Sequence, residues 1–260
     1  MPTTYTHHIF GTLVYQGLPK EIQKKIQKEK NLYQIGLHGP DILFYYRPFQ
    51  KNTVNGLGHR MHKEIAADFF EHAKELYDQT KNEALFVYIT GFICHFMLDS
   101  ACHPIVSRYM EKTGSSHAEI ETDLDRMLME KTNKDPMHYH PSDTVRIRRK
   151  DADVIASVLE GMDTKTILKC LRGMKFYTNL TVCGSERKRK WLLWAMKMIG
   201  TYEETGGRVM RKKRSKRCQK STQKLFETMK QCVPETVRTI THYWNSKEKM
   251  SDKRFLRNYL

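Results

Sequence analysis

The chain has 260 residues and a formal net charge of +16, with 39% hydrophobic and 28% charged residues. That length supports one large domain or two small ones with a sizeable core, and the plentiful Leu, Ile, Phe, Met and Tyr exclude wholesale disorder. Residues 186–260 carry 21 Lys/Arg against 7 Asp/Glu, while residues 1–185 carry 24 against 22, so the basic character belongs to the last quarter.

Helical periods dominate the chain and β-hairpin signals are scarce. The opening MPTTYTHHIFG has neither a charged nor an apolar leader region, so no secretory signal is expected. Pro19 opens a helix over Lys20–Lys30, and Leu37–Pro48, with Gly39-Pro40, reads as a loop or a short, irregular connection. Met61–Gln79 is amphipathic, with Ile65, Phe69, Phe70 and Leu76 on one side. Glu83–Met110 is a central apolar helix expected to end or kink at Pro104. Gly114-Ser115-Ser116 supplies a break and an N-cap for a helix over His117–Lys131.

Asn133–Ser142 is a loop, followed by a weak helical segment at Ser142–Arg149. Stronger helices follow at Asp151–Gly161, Lys165–Thr181, Arg187–Gly200 and Ser221–Asn245. Trp191, Leu192, Leu193, Trp194 and Met198 read as a core-facing stripe, and Arg208–Lys220 as a basic run too hydrophilic for core. The expected architecture is all-α, a single-domain helical bundle over 1–260. Its metal-site half is 1–131, and its basic helical part is 186–260. Six cysteines without a CxxC pair fit free thiols in a reduced, cytoplasmic compartment.

Within LFVYITGFICHFMLDSACHPIV, the only imidazole or carboxylate groups are His95, Asp99 and His103. Spaced at i, i+4 and i+8, they share one helical face. Burying an unpaired carboxylate costs several kcal/mol, and metal coordination is one of the few compensations large enough. The same three residues make a transmembrane span a poor explanation for this stretch, which reads as a buried central helix. His117 and Glu121 form a second i, i+4 pair, whose face Asp125 extends. Upstream stand His7 or His8, Asp41, and His59 and His62. Imidazole and carboxylate together suit Zn²⁺, and also Mn²⁺ or Fe²⁺.

The order THHIFG, GPDILFY, GHRMH, YITGFICHFMLDSACHP and HAEIETDLD resembles the zinc-dependent phospholipase C family, whose wider superfamily includes fungal single-strand-specific nucleases. The resemblance covers roughly residues 5–126. It implies an all-helical domain holding two or three zinc ions, with Asp99 as the bridge between two of them. His95 and His62 would complete the first ion, with Asp41 as a further ligand or the group orienting the attacking water. His117 and Glu121 would bind a second ion, joined by His103, and His7 would belong to a third position. His62 is preferred to His59, which sits nearer the loop, and His7 to His8. Secreted members have a longer gap before the ligand equivalent to His103. They also use the free amine of a processed N-terminal tryptophan, where this chain begins Met-Pro-Thr.

The implied reaction is phosphodiester hydrolysis, with metal-bound water attacking phosphorus, and Asp41 and Asp99 as the catalytic carboxylates. A phospholipid or other organophosphate is the expected substrate. A nuclease on single-stranded nucleic acid and a non-catalytic metal-binding protein are the alternatives. The basic 208–220 segment offers a surface for an anionic membrane or for nucleic acid.

Overall fold

The computed structural model describes residues 4–246 and 254–259, and no strand occurs among them. In chain order the helices are α1 (Thr4–Gly17), α2 (Lys20–Lys28), α3 (Lys30–Gly36), α4 (Thr53–Lys63), α5 (Ala66–Thr80) and α6 (Glu83–Thr113). They continue as α7 (His117–Lys131), α8 (Arg149–Val158), α9 (Thr164–Leu180), α10 (Glu186–Met198), α11 (Tyr202–Thr205) and α12 (Gln219–Asn245). Short 3₁₀ segments lie at Gly39–Tyr45, Pro141–Thr144, Gly206–Arg208 and Lys216–Cys218. The fold is all-α.

α6 forms the axis. It is long and apolar enough to cross a membrane, but 94% of its most apolar window is buried inside the protein, against α1, α3, α7, α8 and α12. The helix does not end at Pro104. That residue is exposed, where water can satisfy the carbonyl a proline leaves unpaired, and α6 stops instead at Gly114 in the left-handed conformation (φ +65°). α3 packs on α6 backbone to backbone. A Cβ at Gly36 would overlap the Tyr88 carbonyl, and one at Gly91 the Tyr33 carbonyl. This glycine pair brings the Gly39–Tyr45 segment down onto α6.

Four expectations are corrected. Leu37–Pro48, expected as a loop or a short, irregular connection, contains the 3₁₀ helix at Gly39–Tyr45. Met61–Gln79 is two helices, because Asn52 caps α4 well upstream and the C-terminal segment takes up backbone groups freed at the break. Ala66 N–H donates to the Arg257 carbonyl at 3.1 Å, and Tyr259 N–H to the His62 carbonyl at 3.2 Å. Ser142–Arg149 forms only the short Pro141–Thr144 turn before α8 begins at Arg149.

The fourth correction concerns α10, which buries Leu192 and Met196 on a small satellite cluster with Cys183 and Val209. Trp191, Trp194 and Met198 face outward instead. The two smaller residues at i, i+4 occupy the covered face, and the aromatic stripe lies on the opposite one.

The basic run is also less isolated than its composition implies. Val209, Met210, Ser215 and Cys218 are buried, and Arg211 and Arg214 pair with Glu119 at 2.9 Å and Glu130 at 3.2 Å, both on α7. The six cysteines are buried free thiols.

Candidate metal centre

The eight sequence candidates come from five segments: His7 from α1, Asp41 from the Gly39–Tyr45 turn, His62 from α4, His95, Asp99 and His103 from α6, and His117 and Glu121 from α7. The structure brings them together in three groups whose donor atoms lie within 4.8 Å of one another: His7 with His95 and Asp99, Asp41 with His62 and His95, and His103 with His117 and Glu121. Asp99 stands between groups. Its Oδ1 is 3.2 Å from His7 Nε2, and its Oδ2 is 3.3 Å from His95 Nε2 and 4.0 Å from His103 Nε2. All are buried except His117, whose side chain is 34% exposed.

Backbone chemistry aims the rings. The Nδ1–H groups of His62 and His95 donate to the Gly58 carbonyl at 2.7 Å and the Leu37 carbonyl at 3.3 Å, and that of His103 donates to the Tyr259 carbonyl. Nδ1 is thereby spent and Nε2 turns inward, an arrangement characteristic of metal-ligating histidines. Gly39 completes the cradle. It adopts φ +48°, and a Cβ there would overlap the His95 ring.

Apart from His117 Nε2 and Glu121 Oε1, which hydrogen-bond each other at 2.7 Å, the inward atoms fit a metal better than they fit each other. His7 Nε2, Asp41 Oδ1, His62 Nε2, His95 Nε2, His103 Nε2 and both Asp99 oxygens are buried without a hydrogen bond. Such unsatisfied groups are rare in folded proteins. The close pairs sit at 3.1 Å (His62–Asp41), 3.2 Å (His7–Asp99) and 3.3 Å (His95–Asp99), but they are not aligned to share a proton. A tetrahedral ion with ligands at about 2.0–2.1 Å separates neighbouring donors by about 3.3 Å. The donor set, imidazole nitrogen and carboxylate oxygen, is the one zinc accepts.

Electrostatics keeps Asp99, Asp41 and His95 in their binding forms and makes His62 hold its proton more strongly. Burial alone would raise the Asp99 carboxyl, and His95, His103 and His7 more than reverse it, leaving it well below the ordinary carboxylate range. Asp41 behaves likewise: burial raises it, and His62 and His95 bring it low. Burial pushes His95 down to about 4 against the pull of Asp99, so its imidazole is neutral at pH 7. His62 is raised, since the Asp41 carboxylate outweighs the effect of burial.

The alternatives separate by position. His8 is half-buried and bonds Gln34 at 2.7 Å, and His59 is exposed against Phe44. The expectation about the amino terminus falls on residues 1–3, outside those described. Three contributors escaped the sequence reading. His38 is buried beside the cluster, where burial and the His7 and His95 charges push it down to about 3. Tyr259 lays its ring 4.9 Å from that of His62 and 5.9 Å from that of His95. Asp125 is a buried cap for α1, accepting Thr6 N–H at 2.7 Å and Tyr5 N–H at 3.1 Å, and so positions His7. Only Asp125 left a trace in the sequence, as the next residue on the His117–Glu121 face.

Fold and site together define a helical protein with a buried histidine–carboxylate centre able to hold metal. The chain belongs to the zinc-dependent phospholipase C family, whose model matches residues 6–168. The match extends past the motif region into α9. Comparison with curated proteins and with solved structures returns no match.

Proposed function

We propose that this chain is a cytoplasmic metal-dependent phosphodiesterase that cleaves phospholipid-type substrates between phosphate and alcohol, with the eight residues of the centre as its metal ligands. The observation that carries the reading is the set of buried, inward-facing ligand atoms without hydrogen bonds, shared out so that each Asp99 oxygen faces a different histidine. Divalent ions bound there would act as Lewis acids, polarising phosphoryl oxygens and acidifying water.

Asp99 holds two ligand groups in register. Asp41 is kept ionised far below neutral pH, so it is a weak base. Its role is to orient the attacking water beside the ion that it would share with His62, whose Nε2 lies 3.1 Å from Oδ1. The bond formed is from water oxygen to phosphorus, and the bond broken is from phosphorus to the alcohol oxygen, which leaves with a proton. His117, the most exposed of the eight, marks the side from which substrate enters.

A nuclease reading draws on the basic last quarter. Arg211 and Arg214 are already paired with acids on α7, which leaves less charge for nucleic acid and favours the lipid reading.

The test is a metal count on purified protein together with hydrolysis of phosphatidylcholine and of a chromogenic phosphocholine ester. We expect more than one zinc per chain, and loss of more than one ion in Asp99→Ala. Fewer than one ion per chain, or full occupancy with no turnover of either ester, would overturn the proposal.

A further inference from the structure

Folded proteins rarely leave two tryptophans of one helix in water. In α10, Trp191 is 61% and Trp194 59% exposed, and the stripe continues through Met198 (69%) to Ile199 (59%) just past the helix end. Trp191, Trp194 and Met198 lie at i, i+3 and i+7, turned away from the buried Leu192 and Met196, and exposed Ile199 follows at the helix end. Exposed Arg187, Lys188, Lys190 and Lys197 surround the stripe, and Glu186 is the sole acid of the helix. An apolar, Trp-bearing face bordered by cations has the composition of a helix lying in a membrane interface. The indoles sit at the headgroup level, and the Lys and Arg stems reach anionic phosphates.

We propose that α10 is a docking surface for an anionic phospholipid bilayer, its Trp191–Trp194–Met198–Ile199 stripe entering the interface and its cations contacting lipid phosphates. Charge selects this occupant over a second copy of the chain, since two α10 helices face to face would oppose cation to cation. The place of α10 in the fold gives the docking a use. α11 and the Gly206–Arg208 turn, which follow α10, pack on α7, and a Cβ at Gly207 would overlap the first turn of α7 at Ser116 and Glu119, on either side of His117. α10 is thus joined through α11 and the Gly206–Arg208 turn to the helix that carries His117. The docking itself does not require the enzymatic reading to hold.

Co-sedimentation with phosphatidylcholine vesicles, with and without 30 mol% phosphatidylserine, tests it on the full chain. The protein is kept metal-loaded, and the vesicles are pelleted in the cold within minutes to limit hydrolysis. We expect binding to the anionic vesicles, quenching of tryptophan emission by brominated lipid, and at least a tenfold loss of binding in Trp191→Ser/Trp194→Ser. Lys190→Glu/Lys197→Glu should lose the preference for anionic lipid. Unchanged circular dichroism in both variants shows that the fold is intact. Absence of vesicle binding, equal binding by the tryptophan variant, or tryptophan-dependent binding of a single-stranded oligonucleotide in place of vesicles would overturn the proposal. Binding without turnover leaves the docking standing and removes only the enzyme.

Discussion

Gly39 shows how a single residue sets the metal centre. Any other residue there carries two burdens: a left-handed backbone, costing about 1–2 kcal/mol for an L-residue, and a Cβ overlapping the His95 ring. Gly39→Ala should therefore destabilise the protein by about 2–4 kcal/mol in urea unfolding. It should also weaken zinc binding at least tenfold, because His95 serves two of the three ligand groups. Unchanged zinc affinity would show that the turn does not govern the ring. The two histidines of GHRMH allow a sharper contrast. His62→Gln removes a buried Nε2 beside Asp41, whereas His59→Gln alters an exposed ring against Phe44. Elemental analysis should record metal loss in the first and none in the second. Equal loss in both would refute the assignment of His62. At this scale the sequence was legible wherever ligand spacing followed the helical period, as for His95, Asp99, His117 and Glu121. His38 was not, because its partners His7 and His95 arrive from other helices.

At the scale of elements, the amphipathic stretches predicted where helices occur better than which side they bury. The period from Met61 to Gln79 is continuous in the sequence. The break after Lys63 depends on hydrogen bonds to Arg257 and Tyr259, nearly two hundred residues away, and no local pattern records them. In α10 the largest apolar residues looked like core, but the site they would pack on is shallow and is filled by Leu192 and Met196. The same logic makes α1 depend on α7. Its first turn has no acidic residue of its own, and Asp125 accepts the Tyr5 and Thr6 amides and the Thr6 hydroxyl. Asp125→Ala leaves those donors buried without an acceptor, at a cost of about 2–3 kcal/mol. Hydrogen exchange should show α1 amides opening faster while α6 stays protected, with His7 as the ligand most disturbed. Uniform loss of protection across the chain would mean that the cap holds the whole fold rather than α1.

For the whole molecule, the centre ties α1, α4, α6 and α7 together with the Gly39–Tyr45 turn, so metal and fold are linked. Without metal, those elements meet over buried imidazoles held at native pKa values far from the ordinary 6.5: about 4 for His95 and about 3 for His38. Between pH 6.5 and 4 the unfolded chain binds protons that the native chain refuses, so metal-free stability falls as pH falls. The raised His62 opposes this, contributing stability that is present below pH 6.5. Asp99 and Asp41, lowered in the fold, add a further loss below about pH 4. His95 is already proton-free in the fold over this interval, so the proton that zinc must displace is the one His62 holds, and zinc's contribution weakens as that ring charges. At a hundredfold excess over Kd, zinc stabilises by about 2.7 kcal/mol per site, and each kcal/mol raises Tm by about 2–4 °C in a chain of this size. Thermal scans should thus show a zinc-dependent rise of about 5–10 °C for each ion bound at pH 7.5 that is smaller at pH 5, with the chelated protein melting lower at pH 5 than at 7.5. A rise of the same size at both pH values would mean that the ion binds where protons do not compete, away from the histidines of this centre.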